Sequence, residues 1–85
     1  MILGMTRLSA KLDADQDLVR LGASVRSRRK ALSLSQESLA DAAGIDRSHM
    51  GRIERGERNV TLLNILRIAK AVHCKPSELL NDAGL

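Results

Sequence analysis

The chain has 85 residues and a formal net charge of +4, from 14 Lys and Arg residues against 10 Asp and Glu residues. Its hydrophobic content of 44% is enough for one small domain, and the absence of Phe, Tyr and Trp means that the core must be aliphatic. A single cysteine, Cys74, excludes an internal disulfide and a cysteine-cluster metal site.

Residues 1–16 contain four large aliphatic side chains, Ile2, Leu3, Leu8 and Leu12. The segment is compatible with a flexible arm, an extra helical segment or a strip that packs on a partner subunit. We favour the partner contact, because exposed aliphatic side chains on so small a protein would form an unusual patch. Basic residues follow the apolar start, which is the wrong order for a secretory signal, and no apolar run reaches 18 residues. We therefore expect a cytoplasmic protein without a membrane anchor.

The spacing of aliphatic residues after this segment predicts helices and no strands. A first helix fits residues 17–32, where Leu21 and Val25 belong to one apolar stripe. Gly22 interrupts that helix and weakens it by about 1 kcal/mol relative to Ala.

The central stretch, Leu34–Gly56, has the pattern of two short helices joined by a tight turn. Ser35 is placed to cap the first helix, and Gly44 stands where that helix ends and a left-handed residue is needed. Asp46 is a second N-cap candidate, and Gly56 is the stop signal of the second helix. The sequence therefore predicts a helix, a bend and a second helix from about Asp46 to Arg55.

The outer side of this second helix is polar, cationic and rich in small residues. It carries Arg47, Ser48, His49, Gly51, Arg52 and Arg55. Residues 26–58 hold eight basic and five acidic residues, so most of the positive charge lies around the central helices. A concentration of this kind favours a polyanionic partner, although a solvated surface would have the same composition.

Two more helices complete the prediction. Thr61 can cap a fourth helix that extends to about Val72, and Pro76 fits the first position of a last short helix. We therefore predict an all-α fold, a compact bundle of five helices.

Together these residues resemble the lambda-repressor-like helix-turn-helix family, which contains phage repressors, Cro and Xre-type regulators. The resemblance covers about residues 18–82 and rests on four segments: Ser35–Gln36, Leu39–Ala40, Gly44–Ile45 and Ile53–Gly56. It implies a helix-turn-helix DNA-binding domain over residues 17–85. The helix Asp46–Arg55 would enter the major groove of double-stranded DNA.

The resemblance also implies the roles of individual side chains. Base contacts are expected from Arg47, Ser48, His49 and Arg52. Phosphate contacts are expected from Ser35, Gln36, Arg55, Arg58 and Asn59. Arg29 and Glu54 are expected to form a structural ion pair, with a phosphate contact from Arg29 as the alternative.

A homodimer on an inverted-repeat operator is the expected assembly, because one such unit reads only a few base pairs. The expected interface uses Leu79, Leu80 and Leu85, with residues 1–16 assisting. The expected function is transcription regulation, as a repressor or as a protein similar to restriction-modification controllers. An antitoxin-like module that neutralises a partner protein is the alternative.

An enzyme has little support in this sequence. We find no carboxylate pair, Gly-rich phosphate loop or nucleophile–base spacing. His73 beside Cys74 is too small a set to hold a metal, so we expect no metal, cofactor or small-molecule ligand.

Overall fold

In a computed structural model that describes residues 13–85, the chain forms five α-helices and no strand. The helices are α1 (Asp17–Ala31), α2 (Gln36–Ala43), α3 (Arg47–Glu54), α4 (Leu62–Ala71) and α5 (Pro76–Asp82). The predicted all-α, five-helix fold is confirmed. No helix within the described range is long and apolar enough to cross a membrane.

Side-chain caps fix where the helices begin. The Ser35 hydroxyl accepts the Ser38 N–H at 3.0 Å, and the Thr61 hydroxyl accepts the Asn64 N–H at 3.1 Å. At the start of α5 a side chain inside the helix binds the residue before it: the Glu78 carboxylate accepts the Lys75 N–H at 2.8 Å. Each cap satisfies an N–H that has no partner within its helix and contributes about 1 kcal/mol.

A side chain from the end of the N-terminal segment caps the start of α1. The Asp13 carboxylate accepts the N–H groups of Asp17 and Leu18 at 2.7 and 3.0 Å. Asp13 therefore caps α1 from four residues before its first residue. The partner-contact prediction for Ile2, Leu3, Leu8 and Leu12 lies outside the described residues.

The core is aliphatic, as the composition requires. Its largest fully buried side chains are Leu39, Met50, Ile53, Ile68, Leu79 and Val25. The assignment of Leu79 to a dimer surface is therefore wrong, because this side chain is 0% exposed in the single chain. Leu80 is half-buried and packs against the same core, while Leu85 is 50% exposed.

Two glycines let α1 pack closely behind α3. A Cβ added to Gly22 would lie 2.4 Å from the Ile53 carbonyl oxygen and 2.5 Å from that of Glu54. A Cβ on Gly56, whose φ is +75°, would lie 2.6 Å from the Val19 Cα. The backbone of α1 therefore supports the C-terminal end of α3 directly.

At its other end α1 is tied to α5. The Ser24 hydroxyl donates to the Leu79 carbonyl oxygen at 2.8 Å, and the Arg28 Nε donates to Asp82 at 2.7 Å. These contacts hold the last helix against the first, so α1 packs against both α3 and α5.

Candidate nucleic-acid interface

The bend between α2 and α3 follows from one residue. Gly44 has φ +70°, the left-handed conformation that ends a helix, and the Ile45 N–H donates to the Ala40 carbonyl oxygen at 2.9 Å. The Asp46 carboxylate then caps α3 by accepting the N–H groups of Ser48 and His49. The turn places α3 across the domain with Met50 inside the core and its opposite side in solvent.

An open hollow of about 430 Å³ lies on the exposed side of α3. Its lining residues are Gln36, Asp46, Arg47, Ser48, Gly51, Arg52 and Arg55. A neighbouring hollow of about 250 Å³ is lined by Arg26, Arg29, Gln36, Glu54 and Arg55. Gln36 and Arg55 line both hollows and therefore stand between them. The surface is polar, carries several guanidinium groups and is suited to an anionic ligand.

Three of the four side chains predicted to contact bases line the larger hollow. Arg47, Ser48 and Arg52 are exposed there, whereas His49 is half-buried and does not line it. Within residues 13–85, Arg47 and Arg52 make no ion pair or side-chain hydrogen bond. Their guanidinium groups are therefore donors left free by the described part of the chain.

The Ser48 hydroxyl is already engaged. It donates to the Asp46 carboxylate, and this hydrogen bond, followed by that from the His49 N–H, holds the pKa of Asp46 below its ordinary value. Asp46 is therefore ionised at neutral pH. Ser48 offers an acceptor rather than a donor to a ligand in the hollow.

The residues predicted to contact phosphates do not form one group. Gln36 and Arg55 reach the hollows, but both have partners: Gln36 donates to Glu54 at 2.9 Å, and Arg55 pairs with Glu57. The Ser35 hydroxyl is used to cap α2 and donates to the Ser38 hydroxyl at 3.0 Å. Arg58 and Asn59 are exposed in the loop after α3 and line neither hollow.

A buried ion pair lies beneath the second hollow. The Arg29 Nε and Nη2 donate to the two Glu54 carboxylate oxygens at 2.7 and 3.0 Å, and Glu54 raises the pKa of Arg29. The third nitrogen, Nη1, donates to the Leu34 carbonyl oxygen at 2.9 Å. Arg29 is 9% exposed, so these inward contacts support the structural role and oppose the alternative of a phosphate contact.

The sequence interpretation missed several features of this surface. The first is the ion pair between Arg55 and Glu57. Opposite charges two residues apart in a turn are a sequence signal that could have predicted it. The exposed apolar side chains of α4 were another: Leu62, Leu63 and Leu66 are 69%, 55% and 43% exposed. Cys74 packs against the core, and burial raises the pKa of its thiol, which makes it a poor nucleophile.

Comparison with known proteins agrees with this geometry. A helix-turn-helix family model, HTH_3, matches residues 25–79. The control protein C.SmaI of Serratia marcescens is 45% identical over 65 residues, which are 76% of this chain and 77% of that protein. The control protein C.BamHI of Bacillus amyloliquefaciens is 44% identical over 61 residues, or 71% of this chain and 75% of that protein.

A solved structure is similar in both sequence and fold. The crystal structure of the restriction-modification controller protein C.AhdI from Aeromonas hydrophila matches with a TM-score of 0.73 and 52% identity. The match covers 74% of this chain and 96% of that one. The resemblance drawn from sequence is therefore confirmed at the level of family and fold.

Proposed function

The chain belongs to the HTH_3 helix-turn-helix family of DNA-binding transcription regulators, and from this premise we propose that it binds an inverted-repeat operator as a homodimer. The α3 helix would lie in the major groove of each half-site. The observation that carries the proposal is the pair of guanidinium groups, Arg47 and Arg52, exposed beside the hollow without a partner in the described residues.

Base reading is assigned to these two arginines. A guanidinium can donate two hydrogen bonds to O6 and N7 of guanine, and each such pair discriminates by about 1–3 kcal/mol. Arg47 is the first residue of α3 and Arg52 lies in its last turn, so one helix can sample more than one base pair. Ser48, with its proton donated to Asp46, would accept a hydrogen bond from an amino group of a base.

Phosphate binding is assigned to the second hollow and its rim. Arg26 lines that hollow together with Gln36 and Arg55. The free N–H groups in the first turn of α2 favour an anion at the same edge. Arg58 and Asn59 would extend the phosphate contacts along the backbone beyond α3. These contacts supply affinity that depends on salt and carry no sequence information.

The exposed face of α4 is assigned to the second copy of the chain. Leu62, Leu63 and Leu66 lie within two turns of α4 and remain exposed in the single chain. A twofold dimer would bury them and place two α3 helices about 34–36 Å apart on one side of the duplex. This interface replaces the one that included Leu79, which the monomer core already buries.

The relatives suggest which genes are regulated. C.SmaI and C.BamHI are control proteins, and C.AhdI is a restriction-modification controller. We therefore propose that this chain regulates transcription of restriction-modification genes. Footprinting of the purified protein on the DNA upstream of its own gene would test this assignment, and protection of two symmetric half-sites is the expected result.

Two variants test the roles of the surface residues. Arg52→Ala should weaken binding to a site selected from random duplexes by about 5- to 150-fold, since a bidentate base contact is lost, and should weaken binding to random DNA much less. Gln36→Ala should weaken both alike. Arg20→Ala is the matched control, because Arg20 is an exposed arginine on α1 that lines neither hollow and lies outside the proposed dimer face. Equal losses on both duplexes for Arg52→Ala would contradict base reading.

A further inference from the structure

The Glu57 carboxylate forms an ion pair with one of the guanidinium groups of the candidate interface, that of Arg55. Glu57 lies in the loop just after α3, two residues beyond Arg55. The Arg55 Nε donates to Oε2 at 3.1 Å, and Nη2 donates to Oε1 at 3.2 Å. The two parallel hydrogen bonds form a bidentate fork, although both side chains are more than half exposed.

This fork has the geometry with which arginine binds phosphate. A guanidinium presents the same two N–H groups to a carboxylate and to two phosphate oxygens, so it cannot hold both by that edge at once. Arg55 lines both hollows beside Gln36. Its Nη1 lies 3.3 Å from the position that a Cβ on Gly51 would take, so the guanidinium extends over α3 rather than away from it.

The charge around Glu57 keeps its carboxylate ionised and in place. The hydrogen bond from Arg55 is the main cause of a lowered pKa of Glu57, and the positive charges of Arg52 and Arg58 lower it further. One exposed carboxylate is therefore held by Arg55 and feels the positive charges of Arg52 and Arg58. A phosphate group approaching Arg55 meets this carboxylate as a competitor.

We propose that Glu57 competes with DNA phosphate for Arg55 and so moderates the affinity for the operator: it occupies Arg55 in the free protein and on random DNA and releases it only when α3 is inserted in its cognate groove. The inference rests on the proposed binding of double-stranded DNA. Loose binding to random DNA leaves the position of the phosphates relative to Arg55 undefined. Insertion of α3 would instead present one phosphate to that fork in a fixed geometry.

The strength of the pair suits such a competition. An exposed ion pair is worth a factor of about 1.4–5 in an equilibrium constant. That is weak enough for a well-placed phosphate to displace Glu57, and strong enough to keep Arg55 from a phosphate that is poorly placed. Because the pair is broken only on the operator, Glu57 would lower affinity for the operator by its full strength and affinity for random DNA by less.

Glu57→Gln tests the inference, since it removes the ion pair with little change of shape at an exposed position. Affinity for the selected site should rise about 1.4- to 5-fold per protomer, because the pair no longer has to be broken on binding. On random duplex the slope of log K against log salt concentration should steepen by about 0.9 per protomer, because Arg55 becomes free to neutralise one more phosphate. Affinity for random duplex should rise less, since the phosphate there is poorly placed, so the ratio of specific to random binding should rise.

A matched control separates this effect from the general loss of a negative charge. Glu37→Gln removes an exposed carboxylate from the first turn of α2, where no ion pair is present among residues 13–85. It should raise both affinities by similar factors without steepening the salt slope. The double variant Arg55→Gln/Glu57→Gln should lose the gain of Glu57→Gln, because the freed guanidinium is then absent.

The possible outcomes separate a failure of the proposed role of Glu57 from a failure of the proposed DNA-binding function. If the unmodified protein does not discriminate a selected site from random duplex, the proposed function fails, and the inference fails with it. If the protein discriminates but Glu57→Gln behaves like Glu37→Gln in affinity and salt slope, only the inference is overturned. Persistence of the gain in the double variant would overturn it as well.

Discussion

Replacement of Gly22 by Ala sets two physical effects against each other in one helix. Ala is favoured over Gly in a helix interior by about 1 kcal/mol, so propensity alone predicts a more stable protein. The new Cβ, however, would lie 2.4 Å from the Ile53 carbonyl oxygen and 2.5 Å from that of Glu54. These atoms are backbone, so no flexible side chain can move aside to relieve the contact.

The size of the effect follows from the separation that the contact requires. A carbon and a carbonyl oxygen approach to about 3.3 Å, so α1 must move away from α3 by about 0.9 Å. A gap of 0.5–1 Å forfeits a quarter to a half of the dispersion energy of the facing atoms. Overpacking of this kind costs about 1–3 kcal/mol and occasionally more. After the gain of about 1 kcal/mol from helix propensity, we expect a net loss of up to about 2 kcal/mol, which corresponds to a fall of up to about 16 °C in the unfolding midpoint of a domain this small.

Gly51→Ala is the matched comparison, because both glycines are buried within helices. A Cβ on Gly51 would lie 3.3 and 3.4 Å from the ends of the Arg55 and Gln36 side chains, which can move. Thermal unfolding followed by circular dichroism should therefore give a lower midpoint for Gly22→Ala and an unchanged or higher one for Gly51→Ala. An increase for both variants would refute the close approach of α1 to α3.

The remaining predictions concern the ion pair, the α3 cap and the dimer. Glu54→Gln should lower the free energy of unfolding by about 3–5 kcal/mol in denaturant titration, because Arg29 stays buried without a counter-charge. The lowered pKa of Asp46 stabilises the fold above its ordinary value of 3.8, and this contribution is lost as the pH falls through the folded-state value. Below pH 4 the unfolding midpoint should therefore fall more steeply for the unmodified protein than for Asp46→Asn. Leu66→Asp should yield a monomer in sedimentation, whereas Leu32→Asp should not, although these leucines are 43% and 42% exposed.

The sequence predicts the elements of this fold well where the signal is local. Ser35, Asp46 and Thr61 cap their helices as expected, and Gly44 adopts the left-handed conformation that the turn needs. Each of these residues acts on backbone groups within a few positions of itself. The residue type and its place relative to the apolar pattern are therefore sufficient.

Properties that depend on distant packing were not readable in the same way. The sequence indicates only that Gly22 weakens its helix. The structure shows that a glycine is needed there because the backbone of Ile53 and Glu54, more than thirty residues away, leaves no room for a Cβ. Leu79 and Leu66 are both leucines on short helices, yet one is 0% and the other 43% exposed. Only the arrangement of the helices decides which of the two faces solvent.

The polar network around Glu54 links the stability of the fold to the shape of its candidate interface. Glu54 is the last residue of α3, and one carboxylate accepts hydrogen bonds from Arg29 on α1 and from Gln36 on α2. The Gln36 side chain lines both hollows, and its amide is oriented by its hydrogen bond to the buried Glu54. Glu54 itself does not line the hollow that holds Arg47 and Arg52. A substitution at Glu54 would therefore change the surface offered to a ligand as well as the unfolding free energy. Loss of binding in such a variant is evidence about positioning and does not make Glu54 a contact residue.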